Sequence, residues 1–507
     1  MRDYVSSVPD LRSFIPVLVP VALWALVFLA LGAGSPSEIW DPAGPQSFFD
    51  GVRSILPFVV AGPAAVFIVY RMLQGQMRGG RFIGPLGVAS VYGLIGFFAA
   101  FKSPDGTVAI WWTGLYLSVP IALWGIVWRP DPLEQLRPLV KATWLAVMLA
   151  AAVLLAIAVF KLDLVDRIQD PSLLMKCRAA DWLDLTSGRI RGTGVGRYAA
   201  ITALLAISGM WMPKWRRIWS VLLVISLVFL LYTAARGSFV GFGAGAALII
   251  VIYTVSAGKR AMVTALVVTA IALPVLWGTG LANEFLENCF FRSTKSVPAQ
   301  PTSTPTVSVP GGVPETSLAG SSGGSSGVIQ PGESSGTDGV TGDPANPSDF
   351  TTFESMVSIP EVDLVPVEFY TFSGRRAVWS DGWGLFTESP VLGYGFQADR
   401  LLLHTHMHNS IMHAMLQTGL LGTIPFILSI VFAWLLLLKL IVRLRSLQAP
   451  DKHLVIQCAG ILAFFTMRSF PESTGAFFGV DWLIIAVMLF YLHVVSSRLD
   501  SPGYRPA

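Results

Sequence analysis

The chain has 507 residues, of which 53% are apolar or aromatic and 13% are charged, with a formal net charge of +4. With a mean hydropathy of +0.63, this composition holds more apolar side chains than one water-soluble core can bury, and it predicts a protein whose main solvent is lipid. The Lys and Arg residues stand in short clusters between apolar runs, which argues against nucleic acid as a partner.

Apolar runs long enough to cross a hydrocarbon core recur along the chain and predict an all-α polytopic membrane protein with about 12 transmembrane helices. The first run is longer than the apolar region of a cleaved signal peptide, so we expect it to remain as the first helix. The predicted spans are 14–33, 54–72, 82–101, 108–128, 139–160, 195–212, 217–235, 238–256, 261–278, 410–438, 454–470 and 478–496.

The short connections that carry clustered Lys and Arg alternate along the chain, so we predict that they and both termini are cytoplasmic. The other connections then face outward, including the long ones at 161–194 and 279–409. The predicted organisation is nine spans in 1–280, a large periplasmic loop in 281–409, and three further spans in 410–507.

The large outward loop divides into two parts of different composition. Residues 293–349 are dominated by Ser, Gly, Pro and Thr, so this insertion is predicted to be disordered. Residues 370–409 are dense in polar and aromatic side chains and end directly before the tenth predicted span. Cys177 and Cys289 both fall in outward loops, where a disulfide and two unpaired thiols are alternatives.

Several arginines are predicted to stand at the outward surface, where the planar guanidinium suits phosphate oxygens. Arg236 interrupts two apolar helices, a costly position unless the charge is paired or wet, although snorkelling to the interface is the alternative explanation. Arg375 and Arg376 follow the insertion, and Arg191 belongs to the other long loop. Trp379, one helical turn beyond Arg375, suits either sugar stacking or interfacial anchoring.

Three histidines precede the tenth span: His404, His406 and His408, followed by Asn409. Zinc binding is disfavoured because the sequence lacks the His-Glu-x-x-His arrangement and a fourth ligand. A single histidine that accepts a proton is preferred, with His408 as the first choice. The acidic residues that could orient it, or replace it as the base, are Glu388, Asp399 and Glu472.

The order of these motifs over about 230–425 resembles the family of bacterial O-antigen ligases and O-antigen polymerases. The matching residues are Arg236-Gly237, Gly374-Arg375 with Trp379, Pro390 with Gly393 and Gly395, His408-Asn409, and Gly419 with Gly422. The insertion, the additional Arg376, and the crowding of His408 by His404 and His406 depart from the family pattern.

The resemblance implies a glycosyltransferase of the bacterial inner membrane whose active site faces the periplasm. Its donor would be an undecaprenyl-diphosphate-linked glycan, transferred with inversion and without a metal or other cofactor. The acceptor would be lipid A core or a growing glycan, a choice that separates ligase from polymerase and that the sequence leaves open. Arg236, Arg375 and His408 would be catalytic, and the substrate-binding candidates are Arg376, Arg191, Asn409, Trp379, His404 and His406.

A transporter or flippase of a lipid-linked glycan is the alternative function, in which the same arginines would bind without reaction. Transporters usually bind substrate near the membrane midplane between internal repeats, with intramembrane acidic residues taking part. This sequence has few such acidic residues, shows no evident repeat, and gathers its polar groups at one face. The sequence therefore favours the enzyme.

Overall fold

The computed structural model describes residues 11–30, 45–75, 84–127, 131–161, 184–185, 188–189, 192–212, 215–233, 235–257 and 375–501. The regular secondary structure of these residues is helical apart from a short antiparallel hairpin, in which β1 (Asp184–Leu185) pairs with β2 (Gly188–Arg189). The predicted span at 261–278, the insertion at 293–349, Cys177, Cys289 and Arg191 lie outside the described residues.

The helices coincide with all the predicted spans that fall in the described part of the chain. In chain order they are α1 (Leu11–Leu29), α2 (Pro45–Leu73), α3 (Pro85–Ala99), α4 (Gly106–Ile126), α5 (Leu133–Lys161), α6 (Gly192–Gly209), α7 (Arg216–Tyr232), α8 (Arg236–Ala257), α9 (Arg375–Glu388), α10 (Ala398–Leu402), α11 (Ser410–Val442), α12 (Ala449–Arg468) and α13 (Val480–Leu499).

Within the described residues, seven helices are long and apolar enough to cross a membrane: α2, α3, α4, α5, α8, α11 and α13. Helix α11 shows why lipid must surround the bundle, because Leu420, Ile424 and Leu428 recur at four-residue intervals on its surface and are about half exposed. A helix of a water-soluble protein would bury such a stripe. The prediction of a helical membrane protein is confirmed.

Helix α13 lies at the centre of the bundle and is buried along almost its whole length. Its apolar side chains join one continuous core with those of α4, α5, α6 and α12. Trp482, near its start, donates Nε1–H to the Tyr116 carbonyl of α4 at 3.0 Å and stacks on the Tyr116 ring. This contact fixes the start of α13. The turn that connects α12 to α13 ends there and lies against the start of α11.

Ion pairs mark one end of the bundle. Arg137 of α5 pairs with Asp451 near the start of α12, with Nη2 and Oδ2 2.6 Å apart. Lys439 and Arg443, at the end of α11, both pair with Asp500. These cations belong to the connections predicted to be cytoplasmic. His408 lies at the opposite end, because α11 begins immediately after it and runs towards Lys439.

Gly419 breaks α11 with a backbone conformation, φ 57° and ψ −161°, that only glycine adopts readily. The break exposes the Leu416 and Gln417 carbonyls, which accept hydrogen bonds from Tyr394 N at 3.0 Å and Gly395 N at 2.7 Å. The Pro390–Gly395 turn of the predicted motif thus docks on the kink. It holds the chain between α9 and α11 against the start of α11.

We expect Gly419→Ala to destabilise the protein. A Cβ at this position would lie 2.3 Å from the Val391 carbonyl carbon and oxygen, so backbone must move. Strain alone costs about 1–3 kcal/mol, and the steric overlap adds to it. Thermal unfolding of the detergent-purified variant checks this, with Gly243→Ala as the control, because a Cβ there meets nothing within 4 Å. Equal melting temperatures for the two variants would contradict it.

Candidate active site

The turn between α12 and α13 brings together two of the three predicted catalytic residues. Arg375, the first residue of α9, donates from Nη1 to the Pro471 carbonyl at 2.8 Å. Its Nη2 lies 3.5 Å from Glu472 Oε1, and His408 Nδ1 lies 3.4 Å from Glu472 Oε2. One carboxylate therefore contacts both an arginine and a histidine that are far apart in the sequence.

Arg236, the third predicted catalytic residue, is exposed at the first residue of α8. The next residue, Gly237, packs on the same turn, since a Cβ there would lie 3.1 Å from Pro471 Cγ. The start of α8 therefore stands beside the turn that holds Arg375. Arg236 and Arg375 are thus the first residues of two helices, α8 and α9, that both begin beside Pro471.

The segment before α11 holds His408 in a left-handed backbone conformation, with φ at 49°. Asn409 caps α11, because its Oδ1 accepts from Ile411 N and Met412 N, while its Nδ2 donates to the Phe470 carbonyl at 3.1 Å. Trp379 donates from Nε1 to the Met407 carbonyl at 2.7 Å. In this structure the predicted binding residues Asn409 and Trp379 both position the histidine segment.

Glu472 carries a negative charge in a mostly buried position. Burial by itself would raise the pKa of this carboxyl, but the hydrogen bond with His408, followed by the charge of Arg468, lowers the pKa to about 2. An ionised Glu472 favours the tautomer of His408 that carries hydrogen on Nδ1. The lone pair is then on Nε2, which is the arrangement of a general base with an orienting carboxylate.

The remaining predicted residues lie around this centre with different exposure. Arg376 is exposed on α9, next to Arg375, and His404 is exposed with φ at 51°. His406 is half-buried, and its Nδ1 accepts a hydrogen bond from His408 N at 3.1 Å. Of the three histidines, His408 is the one that the structure pairs with Glu472.

A second polar cluster, which the sequence analysis missed, lies behind the histidine segment. Asp399 Oδ2 accepts from Met407 N at 3.2 Å and lies 3.1 Å from His413 Nδ1 on α11. His413 Nε2 lies 2.6 Å from the side-chain amide of Gln417. When the Gln417 nitrogen faces the Ala476 carbonyl, the Gln417 oxygen accepts a hydrogen bond from His413 Nε2. Asp399 thus contacts both the histidine segment, through Met407 N, and α11, through His413.

The same cluster contains the residues that could hold a metal. One ligand atom each from Asp399, His406 and His413 lies within 4.8 Å of the other two. However, a histidine that binds a metal normally donates its other ring N–H to an acceptor, and Nδ1 of His406 accepts from His408 N instead. The hydrogen bond to His406 Nδ1 therefore disfavours a metal at this histidine and ties the cluster to the backbone of the His408 segment.

Three charged residues from different helices also meet beside the site. Asp481, at the start of α13, accepts from Arg197 Nη1 of α6 at 2.8 Å and from Arg468 Nη1 at the end of α12. Buried charges are costly unless paired, so this network is a functional-site candidate in its own right. A sequence signal existed, because Arg197 and Asp481 both lie just inside the outward ends of predicted spans.

A scan of the chain against models of protein families finds no matching family, and a search of curated proteins finds no match.

His406 should make the fold sensitive to acid. Burial, followed by the charge of His413, lowers the pKa of His406 from 6.5 to about 3. The unfolded chain therefore binds a proton that the folded protein excludes, so the stabilisation is complete above pH 6.5 and is lost as pH falls towards about 3. We expect His406→Asn to flatten the decline of the melting temperature across this window. The exposed His404→Asn is the control, and equal slopes for the two variants would contradict the assignment.

Proposed function

We propose that the protein is a glycosyltransferase of the O-antigen ligase or polymerase type. It moves a glycan from an undecaprenyl-diphosphate carrier to an acceptor hydroxyl at the periplasmic face of the bacterial inner membrane. The observation that carries the proposal is the shared contact of Glu472 with His408 and Arg375. This contact supports the proposal because it joins a histidine, a residue type that can accept a proton, and an arginine, a residue type that suits phosphate, to one carboxylate.

In this proposal His408 Nε2 takes the proton of the acceptor hydroxyl. The acceptor oxygen attacks the anomeric carbon from the face opposite the diphosphate, forming the new glycosidic bond with inversion. The bond between the anomeric carbon and the phosphate oxygen breaks, and its electron pair leaves with the diphosphate. Glu472 stabilises the imidazolium that forms, which is the usual role of a carboxylate that orients a catalytic histidine.

Arg375 and Arg236 stabilise the charge that develops on the leaving diphosphate. Groups held in place before the reaction stabilise such charge without reorganisation, and Arg375 is held by Pro471 and Glu472. Arg376 adds a further positive charge on the exposed side of α9. The acceptor is lipid A core or a growing glycan, and both lie at the same membrane surface.

The proposal also includes the full topology of about 12 spans with a large periplasmic loop between the ninth and tenth. The alternation of cations supports it, since Arg137, Lys439 and Arg443 lie at the end of the bundle opposite to His408. The alternative function, a transporter or flippase, would use the same arginines for binding alone.

Transfer from a purified undecaprenyl-diphosphate glycan by the reconstituted protein tests this function. We expect product in the presence of EDTA, because His408 and the arginines supply the proton acceptor and the positive charge. Loss of transfer on chelation, with recovery on adding a divalent metal, would overturn the metal-independent mechanism. Donor binding without product for either class of acceptor would favour the transporter.

A further inference from the structure

A cavity of about 290 Å³ lies beside the proposed reaction centre, at the same end of the bundle. Arg197, Arg400 and Asp481 bring charge to its wall, and Trp112 and Phe477 bring aromatic rings. Ser473, which also lines it, directly follows Glu472. A residue of the cavity wall is therefore the sequence neighbour of Glu472, the carboxylate that contacts His408. Neither His408 nor Arg375 lines the cavity.

The cavity wall has an excess of positive charge. Asp481 is shared by Arg197 and Arg468, so one carboxylate faces two guanidinium groups. Arg400, the second cation of the wall, donates to Gln397 Oε1 at 2.8 Å and forms no ion pair within the described ranges, so the lining residues Arg197, Arg400 and Asp481 carry one net positive charge. Nε of Arg197 is buried and has no hydrogen-bond partner there. Such unsatisfied donors favour an anionic ligand.

The aromatic rings indicate more than a bare anion. Phe477 separates the cavity from the histidine cluster, with ring centroids 5.9 Å from His406 and 5.5 Å from His413. The Arg400 guanidinium lies 5.9 Å from the centroid of the same ring. Ligand sites commonly combine apolar or aromatic walls with a few charged groups that fix orientation. The C–H face of a pyranose ring suits the rings, and an anionic substituent suits the arginines.

We propose that this cavity is a subsite for an anionic sugar unit, a saccharide residue that carries a carboxylate or a phosphate group. The inference rests on the proposed function, because it assigns the cavity to one unit of the donor or acceptor glycan beside the bond that reacts. Arg400 and Arg197 bind the anionic group, and Trp112 and Phe477 contact the ring. The subsite selects acidic glycans over neutral ones.

Binding of free sugars tests the subsite without requiring turnover. Saturation-transfer NMR on the full chain in detergent would compare the affinities of glucuronate, glucose 1-phosphate and glucose, with inorganic pyrophosphate added as a competitor. We expect glucuronate or glucose 1-phosphate to bind at least about tenfold more tightly than glucose, in line with a charge-assisted hydrogen bond. Whichever of these two charged sugars binds more tightly shows whether the subsite prefers a carboxylate or a phosphate group. Equal binding of all three sugars, or pyrophosphate as the tightest ligand that displaces them, would overturn the proposal.

Arg400→Gln should abolish the preference for the charged sugar while leaving glucose binding unchanged, and Arg400→Lys should restore part of it. Arg400 is exposed, so its removal leaves the helix core intact. The control is Arg217→Gln, which removes an equal charge from the exposed start of α7 at the opposite end. A preference that survives Arg400→Gln contradicts the proposal.

The two proposals fail separately. A wild-type protein that prefers the charged sugar but transfers no glycan refutes the glycosyltransferase and leaves the subsite standing. A wild-type protein that transfers glycans but binds charged and neutral sugars equally refutes the subsite alone.

Discussion

Replacing His408 by asparagine is expected to lower the rate of glycan transfer by about 10²–10⁴-fold, the usual contribution of a positioned general base. Asparagine tolerates the left-handed conformation of this residue, φ 49°, so the backbone before α11 should persist. It offers no group that accepts a proton near neutral pH. The loss should appear in kcat, measured with saturating donor and acceptor in reconstituted membranes.

The matched control is His404→Asn, because His404 has nearly the same backbone conformation, φ 51°, but is exposed. This pair of variants also distinguishes His408 from His404, two of the three histidines among which the sequence left the choice of base open. We expect the His404 variant to keep transfer within about tenfold of the wild type, a loss smaller than that expected for a general base. Equal losses in the two variants would contradict the assignment of His408.

The sequence predicted the helices well because the length of an apolar run is a local property. A helix in lipid must satisfy its own backbone, so about 20 apolar residues specify a span without knowledge of its neighbours. Helices α1 (Leu11–Leu29) and α11 (Ser410–Val442) lie on the predicted spans 14–33 and 410–438, with ends that differ by up to four residues. The break at Gly419 was not predicted, because a glycine within an apolar run also fits an unbroken helix. In the structure, the 390–395 turn donates hydrogen bonds to the carbonyls that this break exposes.

The candidate site was only partly predictable. Arg236, Arg375 and His408 were proposed from the sequence because their motifs follow a recognisable order along the chain. The sequence offered three acidic residues as partners of His408, namely Glu388, Asp399 and Glu472. The structure pairs His408 with Glu472, which is 64 residues away. The contact of Arg197 with Asp481 spans 284 residues. The packing of the whole bundle determines which helix ends come into contact. A local sequence pattern does not predict these contacts.

The second large effect is expected at Arg375. Arg375→Ala should lower kcat by about 10²–10³-fold, as removal of one donor to a developing negative charge does in other enzymes. The KM for the acceptor should hardly change, because the arginine acts on the leaving diphosphate. A loss confined to the donor KM, with kcat intact, would instead show that Arg375 binds the ground state and the transition state equally.

Arg375→Lys separates charge from geometry. Lysine keeps the positive charge but cannot donate to the Pro471 carbonyl and contact Glu472 with one rigid group, as Arg375 does at 2.8 and 3.5 Å. We therefore expect lysine to recover only part of the lost rate. The neighbouring Arg376→Ala is the matched control, since this exposed residue should affect the donor KM and leave kcat within about tenfold. Full activity of Arg375→Lys would mean that a point charge suffices, and that the contact with Glu472 serves His408 alone.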